Sequence, residues 1–242
     1  MRSALLVMFA LTLAACGGGQ ANDAPPSNHP SNAPVKEDIQ FERVPFEELP
    51  ERDPPYVWPS DGFRMAAASF WVSWKTTDFV PSRLVASRDG KLWYDLGTTV
   101  NQVHRMPVDL AGFGSDVLFS IEFEEQGRKF RSKPRRVKYG AGIRFGVREL
   151  DVTLEARPDQ KVELTVEGGD LQGLSADDFW FALLPDELRI YGLPRRDSEV
   201  SGRIELVIDG TTLPKDGCWG FMEMRDSRSD TRDRVLLKFR RK

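Results

Sequence analysis

In the run Ser69-Phe70-Trp71-Val72-Ser73-Trp74-Lys75, the large groups Phe70, Val72 and Trp74 alternate with Trp71, Ser73 and Lys75. Successive side chains on a strand point to opposite faces, so a period of two marks a strand with one buried face. The pattern returns at Val117, Phe119, Ile121 and Phe123, which alternate with Leu118, Ser120 and Glu122. Leu84 to Ser87 and Leu92 to Leu96 flank Arg88-Asp89-Gly90-Lys91, and Asp-Gly between two apolar runs predicts a hairpin with a type I′ turn at those two residues. A second turn, Gln126-Gly127, leads into Arg128 to Tyr139. No stretch between residues 63 and 139 carries a 3.6-residue apolar period, which makes this part an all-β domain.

Tyr139-Gly140-Ala141-Gly142 reads as a joint between domains. With Gly146 it nearly matches a dinucleotide fingerprint, but the spacing is wrong and no helix follows. Beyond it, Val147 to Leu154, Val162 to Val166, Phe179 to Leu184, Leu188 to Tyr191, Ile204 to Ile208, Trp219 to Met224 and Val235 to Phe239 are seven short strand-like runs at the spacing of a sandwich. Leu171 to Asp178 is the one place for a helical turn. The fold expected is all-β, with two tandem antiparallel β-sandwich domains.

The first of these resembles a fibronectin type III domain, particularly the divergent kind that precedes the catalytic domain of purple acid phosphatases. The resemblance is carried by Val72-Ser73-Trp74-Lys75-Thr76, by the Asp-Gly hairpin, and by Val103 to Leu110 leading through Gly112 and Gly114 into Val117 to Phe123. It covers about a third of the chain and its motifs are structural. Such domains place a tyrosine just before the strand that begins here at Val117; this sequence has none there, so the corner hydrogen bond needs a replacement. The metal-binding phosphatase domain is missing as well, and phosphatase activity does not transfer. The second domain is similar to the immunoglobulin-like and cadherin-like repeats of bacterial surface proteins through Leu184-Pro185-Asp186-Glu187-Leu188-Arg189-Ile190-Tyr191-Gly192-Leu193-Pro194, Gly202 and Ile204 to Ile208, without their acidic calcium ligands.

The N-terminus says where the chain resides. Met1-Arg2 is followed by an apolar run from Ala4 to Ala14, too short for a membrane-spanning helix and of signal-peptide length. Leu13-Ala14-Ala15-Cys16 resembles the lipobox of bacterial lipoproteins. That resemblance implies removal of residues 1–15, lipidation of Cys16, and anchoring by several acyl chains, where one alone would be marginal. Gly17 in place of an aspartate points by the same resemblance to the outer membrane. The stretch 16–38 is rich in Gly, Pro, Asn and Ser, buries nothing and reads as a disordered tether of about 25–30 Å. Residues 39–58 read as an extended lead-in packed on the first domain, which then occupies 59–140, with the second at 141–242. With Cys16 lipidated, Cys218 is the only thiol left and no disulfide framework exists. Its setting, Gly217-Cys218-Trp219-Gly220, reads as a small buried hydrophobe.

Common enzyme signatures are missing: no nucleophile elbow, phosphate-binding loop, His-Glu-x-x-His or cysteine pair occurs. His104 reads as structural. Asp177-Asp178 fits a helix cap or turn as well as an acid/base pair. Asp226, Asp230 and Asp233 are interleaved with arginines, which favours a self-paired loop over a calcium site. No metal or cofactor is expected.

Two features are candidate binding sites. Arg128, Lys129, Arg131, Lys133, Arg135, Arg136 and Lys138 place seven cations within eleven residues on the expected last strand of the first domain. They fit an aggregation-resistant edge paired with Glu122, Glu124 and Glu125, or a surface for an anionic polymer or partner. Trp71 and Trp93 fit the core or a sugar-stacking surface. The formal net charge is −3, one unit more negative without Arg2, which argues against nucleic acid. The function expected is a lipid-anchored envelope protein, not an enzyme, that binds an envelope protein or polysaccharide. The alternatives are a glycan-binding module and a hydrolase working through carboxylates.

Overall fold

A computed structural model of the chain describes residues 41–45, 48–168, 174, 176–191 and 202–242. The leader, Cys16, the tether, Ile39, Phe46 and the Gly192–Pro194 part of the second resemblance lie outside the described residues. Of the helical turn expected over 171–178, the described part is one 3-10 turn at Ala176–Asp178.

The chain enters through three short strands, β1 (Arg43–Val44), β2 (Tyr56–Trp58) and β3 (Arg64–Met65). Two long ones follow, β4 (Ser69–Ser87) and β5 (Trp93–Asp109), each joining runs that the sequence shows as separate. Their pairing steps from Lys75↔Val103 to Val80↔Asn101, so Thr76 to Phe79 bulge opposite a single residue. A bulge bends and twists a strand, and here it lets both strands serve two sheets. The first part of β4 pairs with β2, and the last part pairs with β6 (Asp116–Glu125). Next come β7 (Arg128–Arg131) and β8 (Arg135–Tyr139), both paired with β6. Trp74, Leu84, Phe119, Ile121 and Val137 fill the space between the two sheets.

Two turns differ from expectation. Asp89 does not have positive φ, so Asp89-Gly90 is not a type I′ turn. The hairpin is instead closed by a longer loop in which the Asp89 carboxylate accepts from the backbone N–H of Lys91 (2.8 Å) and Leu92 (3.0 Å), which holds its pKa low. Positive φ at two adjacent residues occurs at Gln126 and Gly127, the two-residue loop between β6 and β7. The missing corner tyrosine is replaced from another strand: the Tyr139 hydroxyl donates to the Leu110 carbonyl at 2.7 Å.

The second sandwich is built from β9 (Arg144–Phe145), β10 (Glu149–Leu154), β11 (Gln160–Glu167), β12 (Phe179–Ala182), β13 (Ile190–Tyr191), β14 (Arg203–Ile208), β15 (Cys218–Asp226) and β16 (Thr231–Arg241). One sheet runs β13–β14–β11–β9 and the other β10–β16–β15–β12. Strict alternation of buried and exposed residues along β11 puts Val162, Leu164 and Val166 against Met222, Met224, Val235 and Leu237. Among the described strands, pairing is antiparallel except for three parallel ladders, β10–β16, β3–β8 and β3–β16, and an isolated parallel bridge joins Glu51 to Arg131.

The last two ladders join the halves. β3 hydrogen-bonds β8 on one side and β16 on the other, making one 12-stranded sheet, and the N–H of Ala66 donates to the Arg232 carbonyl at 2.9 Å. The outward faces of β2 and β4 also meet those of β15 and β16. Trp71 packs on Phe221 and Leu236. Beside them Arg234, fully buried, pairs with Glu223 and donates to the Ser73 hydroxyl (2.6 Å) and the Tyr56 hydroxyl (2.9 Å). Trp58 Nε1 donates to the other Glu223 oxygen at 2.9 Å, and the Arg234 guanidinium lies 3.7 Å from the Trp58 ring centroid. A buried charge is tolerable only when paired and hydrogen-bonded, and here groups from both halves engage the two terminal nitrogens of Arg234, while its Nε is left without a hydrogen-bond partner.

Candidate functional site

The register of three neighbouring strands builds a charged face on the first sandwich. Arg83 on β4 stands opposite Glu122 on β6, and Glu122 stands opposite Arg131 on β7. Arg83 Nε reaches one Glu122 oxygen at 2.8 Å and Arg131 Nε reaches the other at 3.0 Å. Each guanidinium adds a second contact to the same oxygen, and paired contacts from a planar fork fix the carboxylate's orientation. One rung further on, Glu124 opposes Lys129, and Glu125 opposes Arg128 while holding Arg52 at 2.5 Å. Above this rung opens a cleft of about 320 Å³, lined by Leu49, Pro81, Arg83, Thr98, Glu122, Glu124 and Lys129 among others. Beside it, Phe79 and Val100 are 70% and 55% exposed.

The seven cations singled out in the sequence are not one open strip. Arg131 is 6% exposed and stands 5.6 Å from the Trp93 ring, consumed by Glu122. The lead-in runs beside it: Arg131 N–H donates to the Pro50 carbonyl (3.1 Å), and Arg52 N–H donates to the Arg131 carbonyl (3.0 Å). That brings Glu51 to Lys133 (3.8 Å) and Asp53 to Arg135 (3.5 Å), while Arg136 meets Asp116 at 3.7 Å. Nor is the segment a single edge strand, because it breaks at Ser132–Pro134 and β8 lies between β6 and β3. Only Arg128, Lys129 and Lys138 of the seven make no ion pair among the described residues. The acids of the lead-in were the missed partners. Their signal was the shared spacing of Glu51 and Asp53 with Lys133 and Arg135.

The tryptophans are structural. Trp71 (7% exposed) is wedged between the halves with its N–H given to the Arg148 carbonyl, and Trp93 (2%) gives its N–H to the Gly90 carbonyl. Neither presents a face for stacking a sugar. His104 is 1% exposed, stacks on Trp74 with centroids 5.0 Å apart, and its nitrogens meet Thr76 and Thr99 hydroxyls at 3.0 and 2.8 Å. Burial lowers its pKa to about 4, so it is neutral near pH 7.

Asp226, Asp230 and Asp233 are drawn apart by their own partners. Asp226 accepts from Ser229 and from the backbone of Arg228, and Asp230 pairs with Arg225. Asp233 receives Arg148 (2.5 Å) and the N–H of Phe145 (2.7 Å), and burial raises its pKa. Asp178 lies within the short helical turn and Asp177 is exposed. Cys218 is half-buried against the second core, its thiol pKa raised by burial, which disfavours the reactive thiolate.

No protein-family model matches the chain, and no curated protein matches it either. Among solved structures, it overlaps an I-band fragment of titin over 78% of this chain and 66% of that one, with 11% identity and a TM-score of 0.25. A chimeric titin Z1Z2 functionalized with a peptide from decorin overlaps over 84% and 99%, with 12% identity and a TM-score of 0.28. Overlaps this loose carry no argument, and the sandwich architecture stands on the strand pairing itself.

Proposed function

We propose that this protein is a lipid-anchored, non-catalytic binding module of the bacterial cell envelope, whose partner docks on the β4–β6–β7 face of the first sandwich. The observation that carries the reading is the charged cleft on that face, lined by Lys129, which makes no ion pair among the described residues, with exposed Phe79 two residues before Pro81 of the same lining. Elsewhere the groups with chemical potential, namely His104, Asp233, Cys218 and the Arg234–Glu223 pair, are held in packing. A polar rim with a few apolar anchors is the usual composition of a reversible protein interface. Cys16 and the tether supply the anchor and the reach in this reading, and the outer membrane is its expected location.

The test is mild crosslinking of the native lipoprotein in envelopes, detergent extraction and mass spectrometry of whatever accompanies it in stoichiometric amount. A protein or polysaccharide partner that is lost on Arg128→Glu with Lys129→Glu supports the reading. Recovery of the protein alone, or a partner indifferent to both substitutions, overturns it.

A second reading, a carboxylate hydrolase, draws on Glu122 and Glu124 lining one cleft. Both oxygens of Glu122 already receive guanidinium groups, which leaves neither of them free to meet a substrate. A hydrolytic activity on envelope polymers abolished by Glu124→Gln would establish this reading in place of the first.

A further inference from the structure

The seam between the two halves holds arginines that are satisfied within the protein and one that is not. Arg234 is matched to Glu223 and Arg148 to Asp233. Arg105, on β5 opposite Ser73 of β4, lies across the seam with its guanidinium 3.9 Å from the Trp219 ring centroid. That guanidinium makes no hydrogen bond or ion pair with any described residue. Glu149 reaches it only through its field, because Glu149 is paired with Lys238, which stands opposite Trp219 on the neighbouring strand. Arg105 is half-buried, and burial pulls its pKa down against the opposing effect of Glu149.

A guanidinium carries five N–H donors and no acceptor, and partial desolvation without a partner is costly. Trp219 covers one side of the group and restrains it, so its donor fork is set before a ligand arrives; a planar fork of this kind matches the two oxygens of a carboxylate. The charges of Arg105, Lys238 and Glu149 sum to +1, which one negative charge neutralises and a phosphate dianion exceeds. The surroundings are apolar. Trp219 and Leu183 are half-buried and both pack against the Trp71, Phe221 and Leu236 cluster. Leu183 holds a φ of 61°, uncommon for a leucine, and such conformations persist where the surroundings over-determine them, often beside ligands. A sugar acid, with hydroxyl groups around its carboxylate, would find no polar partner on either of these side chains.

We propose that Arg105, held over Trp219, is a binding site for a single carboxylate borne beside an apolar group, as at the C-terminus of a polypeptide that ends in an apolar residue. The guanidinium takes the two carboxylate oxygens, and the terminal side chain lies on the half-open apolar surface of the seam. The site shares no residue with the β4–β6–β7 face, so docking through Lys129 and carboxylate binding at Arg105 stand or fall separately.

The test is fluorine NMR of the full-length, detergent-solubilised protein with fluorotryptophan at all six tryptophans, the Trp219 resonance being assigned by its loss in Trp219→Phe. The probes are N-acetyl-leucine, N-acetyl-leucinamide, glucuronate and inorganic phosphate. N-acetyl-leucine should shift the Trp219 resonance saturably with a dissociation constant of about 1–10 mM, the strength expected of a ligand of about a dozen non-hydrogen atoms, and leave the Trp93 resonance in place. The amide, glucuronate and phosphate should each bind at least about tenfold more weakly, for want of the fork–carboxylate pairing or the apolar contact. Arg105→Lys, which keeps the charge and loses the fork, should weaken N-acetyl-leucine about tenfold, and Arg105→Met should abolish the saturable shift; unchanged Trp74 and Trp93 resonances in the free variants report an intact fold. A Trp219 resonance that ignores N-acetyl-leucine, the same titration in the Arg105→Met chain, or an equal response to phosphate or glucuronate overturns the proposal. The first of these results would make Arg105 a packing group that only covers the indole.

Discussion

Replacing Arg234 by Met tests how the two halves are held together. The side chain is fully buried, and Met keeps much of its volume while removing the donors to Ser73, Tyr56 and Glu223. Glu223, 4% exposed, would be left as a buried carboxylate with the Trp58 indole as its one remaining donor among those contacts. Breaking a buried pair from one side costs about 3–5 kcal/mol because the surviving charge is uncompensated. With a urea m-value of about 2–3 kcal/mol per molar, the unfolding midpoint should fall by about 1–2 M. Glu223→Met alone should cost a similar amount for the mirror-image reason. The double variant should recover most of the sum, because paired charges exchanged for apolar groups of similar size are often close to neutral. The residual loss, about 1–3 kcal/mol, is the unpaired Trp58 N–H. Urea unfolding followed by tryptophan fluorescence gives all four corners of the cycle. Additive losses, or a cost for Arg234→Met below about 1 kcal/mol, would refute the argument that this pair is a desolvated unit bridging the halves.

Three further outcomes follow from single residues. His104 stays neutral in the folded protein down to about pH 4, whereas the unfolded chain protonates near 6.5. Its contribution is therefore fully present above pH 6.5 and falls away towards pH 4, by up to about 3 kcal/mol. Urea midpoints across that window should drop more steeply for the natural protein than for His104→Gln, and parallel slopes would count against it. Tyr139→Phe should lose about 1 kcal/mol in the same assay by stranding the Leu110 carbonyl; no change would mean that the corner bond is dispensable. Gln126→Asn should gain a few tenths of a kcal/mol, since Asn tolerates positive φ better than Gln in a two-residue hairpin loop. A loss there would contradict the turn assignment.

Much of the architecture could be read from local pattern, because alternation is set by the strand itself. The Ser69–Lys75 run, the seven runs of the second sandwich and the turn at Gln126 all appear where their side chains predict. What local pattern could not show is that the second face of β4 is also covered. Ser73 looks like a solvent-facing residue, yet it is wholly buried because it bonds Arg234 from 161 positions away. Signals of double burial were nonetheless present. Val235-Leu236-Leu237 and Phe70-Trp71-Val72 are unbroken apolar runs with no polar alternate, as strands covered on both sides require. The basic segment misled for a related reason: its acidic partners Glu51 and Asp53 come from the lead-in, and no local rule pairs residues 82 positions apart. The exposed Phe79 followed from neither signal, since it sits in a bulge created by a mismatch in register between two long strands.

The account turns on the β4–β6–β7 face being where a partner docks. A photoreactive amino acid placed at Lys129 tests this directly in intact envelopes, with Lys161 on the exposed side of β11 as the control position. A discrete adduct from Lys129 and none from Lys161 is the predicted result. No adduct from Lys129, or the same products from both positions, would contradict it.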